Sequence, residues 1–130
     1  MTPILAFDIE TVPDVNGIRL LYDLPASLPD DEVVLFAQQK RRAQNGSDFM
    51  QHHLHQVVAI SCCMRWGQDK IHVGTIGEMH DSEEEMIAKF FDLIESHTPQ
   101  LVSWNGGGFD LPVLHYRALI HGIAAARYWD

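Results

Sequence analysis

Residues 4–14 read ILAFDIETVPD, and this short run decides the fold. From Ile4 to Ile9 it is almost continuously apolar, interrupted only by Asp8, and it leaves through Thr11, Val12 and Pro13. Its brevity and the nearby proline predict a strand buried on both faces, as in the middle of a sheet. Side chains two apart on a strand point the same way, so Asp8 and Glu10 share one face. Two carboxylates inside an otherwise apolar strand are costly unless a partner or a metal ion offsets their charge. Asp-x-Glu by itself recurs by chance in acidic chains; its position in this strand is what singles it out.

Outward from that strand, residues 56–66 (QVVAISCCMRW) and 70–76 (KIHVGTI) are β-branched and apolar on either side of Gly67-Gln68-Asp69, which predicts a hairpin. Cys62 and Cys63, adjacent on a strand, point to opposite faces and read as small hydrophobes in a reducing compartment. Ser82 with Glu85 forms a capping box, and Met86, Ile87, Phe90 and Ile94 recur at helical spacing until His97-Thr98-Pro99 ends the helix. Glu83, Glu84 and Glu85 read as its solvated first turn. Residues 101–104 predict a short strand, 105–108 a glycine-rich turn, and 111–121 a helix closed by Gly122. Strand, hairpin, helix, strand, helix is the order of an α/β domain whose sheet mixes a parallel pair with an antiparallel hairpin. The stretch 14–54 stands apart as an insertion in this single domain of residues 1–130. It has a loop at 24–29 and its own helix at 30–43, ending in Lys40-Arg41-Arg42.

A further carboxylate lies in WNGGGFDLPVL, residues 104–114. A strand ends there, glycines permit close backbone approach, and Asp110 opens a helix with Pro112 in its first turn. Alone, Asp110 reads as a helix cap. With Asp8 and Glu10 on a neighbouring parallel strand, three carboxylates can converge at the carboxyl ends of two strands, a usual place for α/β sites. Acids converging without bases suit hard divalent cations, Mg²⁺ or Mn²⁺.

Residues 7–11 (FDIET) resemble the first motif of the DEDD 3′–5′ exonucleases, and residues 105–110 (NGGGFD) resemble their second. FDIETVPD together with NGGGFDLPVL is most similar to the predicted 3′–5′ exonucleases related to the proofreading domain of B-family DNA polymerases. The resemblance implies a ribonuclease H-like mixed sheet flanked by helices. It also implies hydrolysis of phosphodiester bonds at nucleic-acid 3′ ends by a two-metal mechanism. On that pattern Asp8 would bridge both metals, Glu10 would hold the metal that activates water, and Asp110 would hold the second, next to the departing 3′ oxygen. Thr11 would contact the terminal nucleotide through its backbone and Asn105 would position it. Phe109, beside a helix start, reads first as core and second as a base-stacking side chain.

One part of the pattern is missing. Family members carry a third motif, Tyr-x-x-x-Asp or His-x-x-x-Asp, on a later helix. Here Tyr116 is followed four positions on by Ile120, His121 by Ala125, and Tyr128 by only two residues. The chain therefore reads as the N-terminal portion of a longer exonuclease, its C-terminal part missing, binding metal weakly and turning over little. A catalytically inactive module of the same fold, binding nucleic acid or a protein, is the alternative. The sheet edge left exposed would invite self-association.

Other signals are weaker. His52, His53 and His55 have no Cys or acid at ligand spacing and read as a solvated loop. Lys40-Arg41-Arg42 reads equally as a phosphate contact and as a basic helix end matching the dipole. Nine Lys and Arg against eighteen Asp and Glu give a formal charge of −9. That balance disfavours extended contact with a polyanion and confines it to a strand end. The resemblance implies single-stranded nucleic acid or 3′ ends as the partner, DNA ahead of RNA. No apolar run approaches the roughly 20 residues of a membrane span, and no secretory leader opens the chain, so the expected location is the cytoplasm.

Overall fold

The computed structural model describes residues 2–124. Positions Ala125, Tyr128 and Asp130, which entered the search for a third motif, lie outside the described residues. The chain divides into two compact units, one made of Met1–Thr11 and Val57–Asp130, the other of Val12–Gln56.

The first unit is built on a four-stranded sheet. Its strands are β1 (Ile4–Pro13), β2 (His55–Trp66), β3 (Lys70–Thr75) and β4 (Gln100–Val102), in the spatial order β3-β2-β1-β4. β1 pairs parallel to β4, with Ile4, Leu5 and Ala6 opposite Gln100, Leu101 and Val102. β2 and β3 form the antiparallel hairpin expected from the sequence, from Ser61 opposite Thr75 to Trp66 opposite Lys70. Gly67 turns it with a φ of 64°. Cys62 packs against the core, and both cysteines line a hollow with Ala6, Asp8 and Val73; both thiols are free.

One face of this sheet carries the core. Leu5, Phe7 and Ile9 of β1 pack with Val57, Ile60 and Met64 of β2. Over them lie helix α3 (Glu83–His97), through Met86, Ile87, Phe90, Phe91 and Ile94, and helix α4 (Leu111–Ile120), through Val113, Leu114 and Ala118. Phe7 and Phe90 meet with ring centroids 5.1 Å apart, a tilted packing that aromatic quadrupoles favour. The expectation that β1 is buried on both faces is corrected here: Ile4, Asp8 and Glu10 are exposed. Among the described residues, both helices of this unit join the core on one side of the sheet, so β1 alternates like a half-buried strand.

A second correction concerns the start of α3. Ser82 caps it as expected, accepting from the Glu85 N–H, but Glu83 is buried rather than solvated. Arg117 of α4, also buried, donates to both Glu83 carboxylate oxygens, from Nε at 3.0 Å and from Nη2 at 2.6 Å. The same carboxylate accepts the Val57 N–H of β2 at 2.5 Å and lies 2.7 Å from His121 Nε2. Just before the helix, Gly77 (φ 89°) leaves room for Asp81, since a Cβ there would fall 2.7 Å from its Oδ2. The Lys89 ammonium beside it holds the Asp81 carboxyl down at about 2.

The second unit has its own small core of Ile18, Val33, Ala37, Met50 and Leu54. It contains two helices, α1 (Val15–Tyr22) and α2 (Asp30–Asn45), where the sequence predicted one. Asp14 caps α1 by accepting the Gly17 N–H at 3.1 Å, and a Cβ on Gly17 would lie 2.5 Å from that carboxylate. Arg19 ties down the following loop by donating to the Pro25 and Leu28 carbonyls and to Asp30. No described helix is long and apolar enough to cross a membrane.

Replacing Arg117 with Met strands the Glu83 charge in the interior. Urea unfolding should then show a loss of about 3–5 kcal/mol, partly recovered in the Glu83→Leu/Arg117→Met double variant. Burial lowers the His55 pKa from its ordinary value of 6.5, partly opposed by its hydrogen bond to the Met50 carbonyl. With the folded value below the unfolded one, stability is complete above 6.5 and declines as pH falls below it, when the unfolded chain takes up the proton first. The protection of the α1 and α2 amides, taken as exchange relative to each amide's intrinsic rate at the same pH, should fall between pH 7 and pH 5.5 in the wild type, and less so in His55→Gln.

Candidate active site

The strand β1 presents Asp8 and Glu10 together because its other set of alternate residues, Leu5, Phe7 and Ile9, is held in the core. Both acids are exposed. Thr11 follows at the end of this unit's segment of β1 and is half-buried.

The other carboxylate is held differently. After β4 the chain passes through Ser103, Trp104 and Asn105 into a single π-helical turn, Gly106–Asp110, which runs directly into α4. Such turns recur at functional sites because they re-aim a side chain at the mouth of a helix. Asp110 is buried at 5% exposure and makes no side-chain cap to α4, so its position at the helix start is not explained by capping. Ser103 Oγ instead donates to Asp110 Oδ2 at 3.1 Å. Two glycines allow this folding back: a Cβ on Gly106 would lie 3.0 Å from Ser103 Cβ, and one on Gly108 would lie 2.7 Å from Asn105 Oδ1. Gly107 has open space around it. Asn105 is exposed, and its carbonyl accepts the Phe109 N–H at 2.9 Å. Phe109 is half-buried and packs against the main core.

The structure therefore brings Asp8 and Glu10 onto one open face and sets Asp110 at the head of α4. Their donor chemistry, carboxylate oxygen alone, is that of a site for Mg²⁺ or Mn²⁺. Asp110 is not gathered with the other two: among the described residues, no group of three His, Cys, Asp or Glu side chains is placed to hold a metal ion. Sequence reasoning missed Ser103, the partner of Asp110. A serine seven residues before an acid carries no signal until the glycine turn is seen to fold one onto the other. The basic run at the end of α2 has internal partners, with Arg41 donating to the Phe49 carbonyl and Arg42 pairing with Asp48. The histidine trio falls on a 3₁₀ turn, His52–Leu54, and the first residue of β2.

Together these features define an α/β domain of the ribonuclease H-like class, with a carboxylate pair on the open face of the sheet. Predicted 3′–5′ exonucleases related to the exonuclease domain of PolB, taken as a family, match residues 47–130, and the chain belongs to that family. Among curated proteins it is similar to DNA polymerase 1 of Sulfolobus acidocaldarius, 40% identical over 42 residues, and of Sulfurisphaera ohwakuensis, 46% identical over 44. Those matches span 32% and 34% of this chain and 5% of each polymerase. Among solved structures, the family B DNA polymerase of the archaeon Pyrobaculum calidifontis shares the fold with a TM-score of 0.51 at 21% identity. That likeness covers 96% of this chain and 12% of the polymerase.

Removing the Ser103 hydroxyl leaves one oxygen of a buried carboxylate without its donor. Ser103→Ala should cost about 1–3 kcal/mol in denaturant unfolding, while Gly107→Ala stays within about 0.5 kcal/mol of wild type.

Proposed function

We propose that this domain is a divalent-metal-dependent 3′–5′ exonuclease acting on single-stranded DNA ends in the cytoplasm. The observation that carries the reading is the pairing of Asp8 and Glu10 on the exposed face of a strand whose opposite face is core. Nothing in the packing requires two acids there. Asp8, Glu10 and Asp110 are the residues proposed to hold Mg²⁺ or Mn²⁺, and two such ions would supply an activated water and offset charge on the departing 3′ oxygen. Thr11 and Asn105 are proposed to receive the terminal nucleotide, with Phe109 supporting the turn from the core side. The net charge of −9 restricts the contact to a strand end, since few cations are available to neutralise a run of phosphates.

The test is a 5′-labelled single-stranded oligonucleotide incubated with the chain and Mn²⁺. A ladder shortening from the 3′ end is expected, with a circular single strand left intact. Asp8→Asn, Glu10→Gln and Asp110→Asn should each lower the rate beyond the roughly 100-fold that loss of an outer-shell partner costs. A second reading, an inactive module of the same fold that binds nucleic acid or protein, is favoured by one observation: no three described ligand side chains are gathered for a metal. Absence of shortening, together with no heat on Mn²⁺ titration in any variant, would select it.

A further inference from the structure

The open face of the sheet is apolar in its middle and charged toward its ends. Met64 belongs to the core, so Cys63 and Arg65 on either side of it point the other way, as Ile4, Ala6, Asp8 and Glu10 do on β1. The register sets Val73 beside Cys63, Ile71 beside Arg65 and Val102 beside Ala6. Val73 is 73% exposed, Ile71 60% and Val102 47%, so with Ala6 and Cys63 all four strands contribute to one uncovered apolar patch. A contiguous patch of this kind, rimmed by charge, marks an interaction site. Arg65 lines a hollow with Thr2 and Ile4, while Asp8 lines another with Ala6 and Cys63. The cation therefore stands at the Ile4 end of the face, and Asp8 and Glu10 lie about 13 and 20 Å further along β1 at the rise of a strand. Arg65 donates from Nε to the Gly67 carbonyl, and among the described residues none of these three charges forms an ion pair.

We infer that this face docks a second copy of the chain, sheet against sheet, with Arg65 of each copy opposite Asp8 and Glu10 of the other. Charge selects the arrangement. A two-fold axis running across the strands turns the second sheet end for end, so both arginines meet carboxylates and Val73, Ile71 and Val102 meet at the centre. An axis along the strands would set arginine against arginine and acid against acid, which like-charge repulsion disfavours. In two-fold docking one patch supplies both halves of the interface, and an apolar centre with opposite charges at its two ends is complementary to itself. Twisted sheets stack about 10 Å apart and within about 30° of alignment, with the facing side chains interdigitated. Four strands about 4.8 Å apart and roughly 20 Å long give a footprint on the order of 400 Å² per copy, toward the low end of specific interfaces, so the dimer is weak and reversible. The charge of −9 on each copy adds a repulsion that physiological salt screens beyond about 8 Å, while close pairs are screened less. Docking covers Asp8 and Glu10, so the paired form is closed to anything those acids bind.

The experiment is sedimentation equilibrium of the full chain over about 10 to 500 μM, the range that a small interface calls for. EDTA and physiological salt are present throughout, so the result does not depend on the exonuclease reading. A monomer–dimer equilibrium is expected. Val73→Lys and Arg65→Glu should each weaken it by more than about tenfold, with circular dichroism checking that each variant folds. Asp8→Lys/Glu10→Lys should weaken it as well, although that variant lowers the overall repulsion between copies. Mixing it with Arg65→Glu should restore association between unlike copies, since each then offers the charge the other lacks. A monomer at every concentration overturns the inference, as does self-association that survives Val73→Lys or fails to return on mixing. Association abolished by His72→Pro in the outer strand β3, with the other variants unaffected, overturns it too and assigns the contact to a sheet edge.

Discussion

The carboxylate of Glu83 accepts from a β2 backbone amide, takes a two-pronged contact from Arg117 of α4, and sits in the first turn of α3. Three elements that share little sequence proximity are thus joined at one group. A buried charge without such partners would cost several kcal/mol, so strand, arginine and helix start must all be in place before the acid can be enclosed. The position at the head of α3 adds the favourable end of the helix dipole. The consequence reaches the candidate site, because the helix that Arg117 holds is the one Asp110 begins. A packing contact at one end of α4 therefore sets the direction from which the carboxylate at its other end is presented.

Ion pairing also changes how the charge balance of the chain is understood. Arg19 pairs with Asp30, Arg42 with Asp48, Lys89 with Asp81 and Arg117 with Glu83. Several of the nine basic side chains are thus committed to holding loops and helices in place. Exposed pairs of this sort contribute little stability individually, but they withdraw cations from any role in neutralising a phosphate backbone. The acidity of the chain and its internal salt bridges point the same way, toward a contact made of few, local interactions.

Much of the first unit was legible because its signals are local. Alternation in β1 put Asp8 and Glu10 on one face, the Gly67 turn announced the hairpin, and the Ser82 cap with Met86, Ile87, Phe90 and Ile94 announced α3. What escaped was decided by partners distant in sequence. An acid in the first turn of a helix looks alike whether water or an arginine 34 residues later receives it, so the burial of Glu83 left no mark. The run from Ile4 to Ile9 suggested a strand enclosed on both sides, because Ile4 and Ala6 add apolar character without facing the core. Helix α1 was hidden by Gly17, a poor helix former whose missing Cβ makes room for the Asp14 cap. At the candidate site the acids were visible and the serine that holds one of them was not.

The one-sided burial of β1 has a further effect on how reliably the domain assembles. β1 is hydrogen-bonded to β2 on one side and to β4 on the other, where its parallel pairing sets Ile4, Leu5 and Ala6 opposite Gln100, Leu101 and Val102. A shift of the strand by a single position would exchange its two faces. Leu5, Phe7 and Ile9 would then meet water, and Asp8 and Glu10 would be driven into the hydrocarbon interior, where ionised carboxylates are strongly disfavoured. The acid pair thus acts as a proofreader of the fold itself: the same charges that are proposed to hold metal on the open face penalise the misaligned sheet.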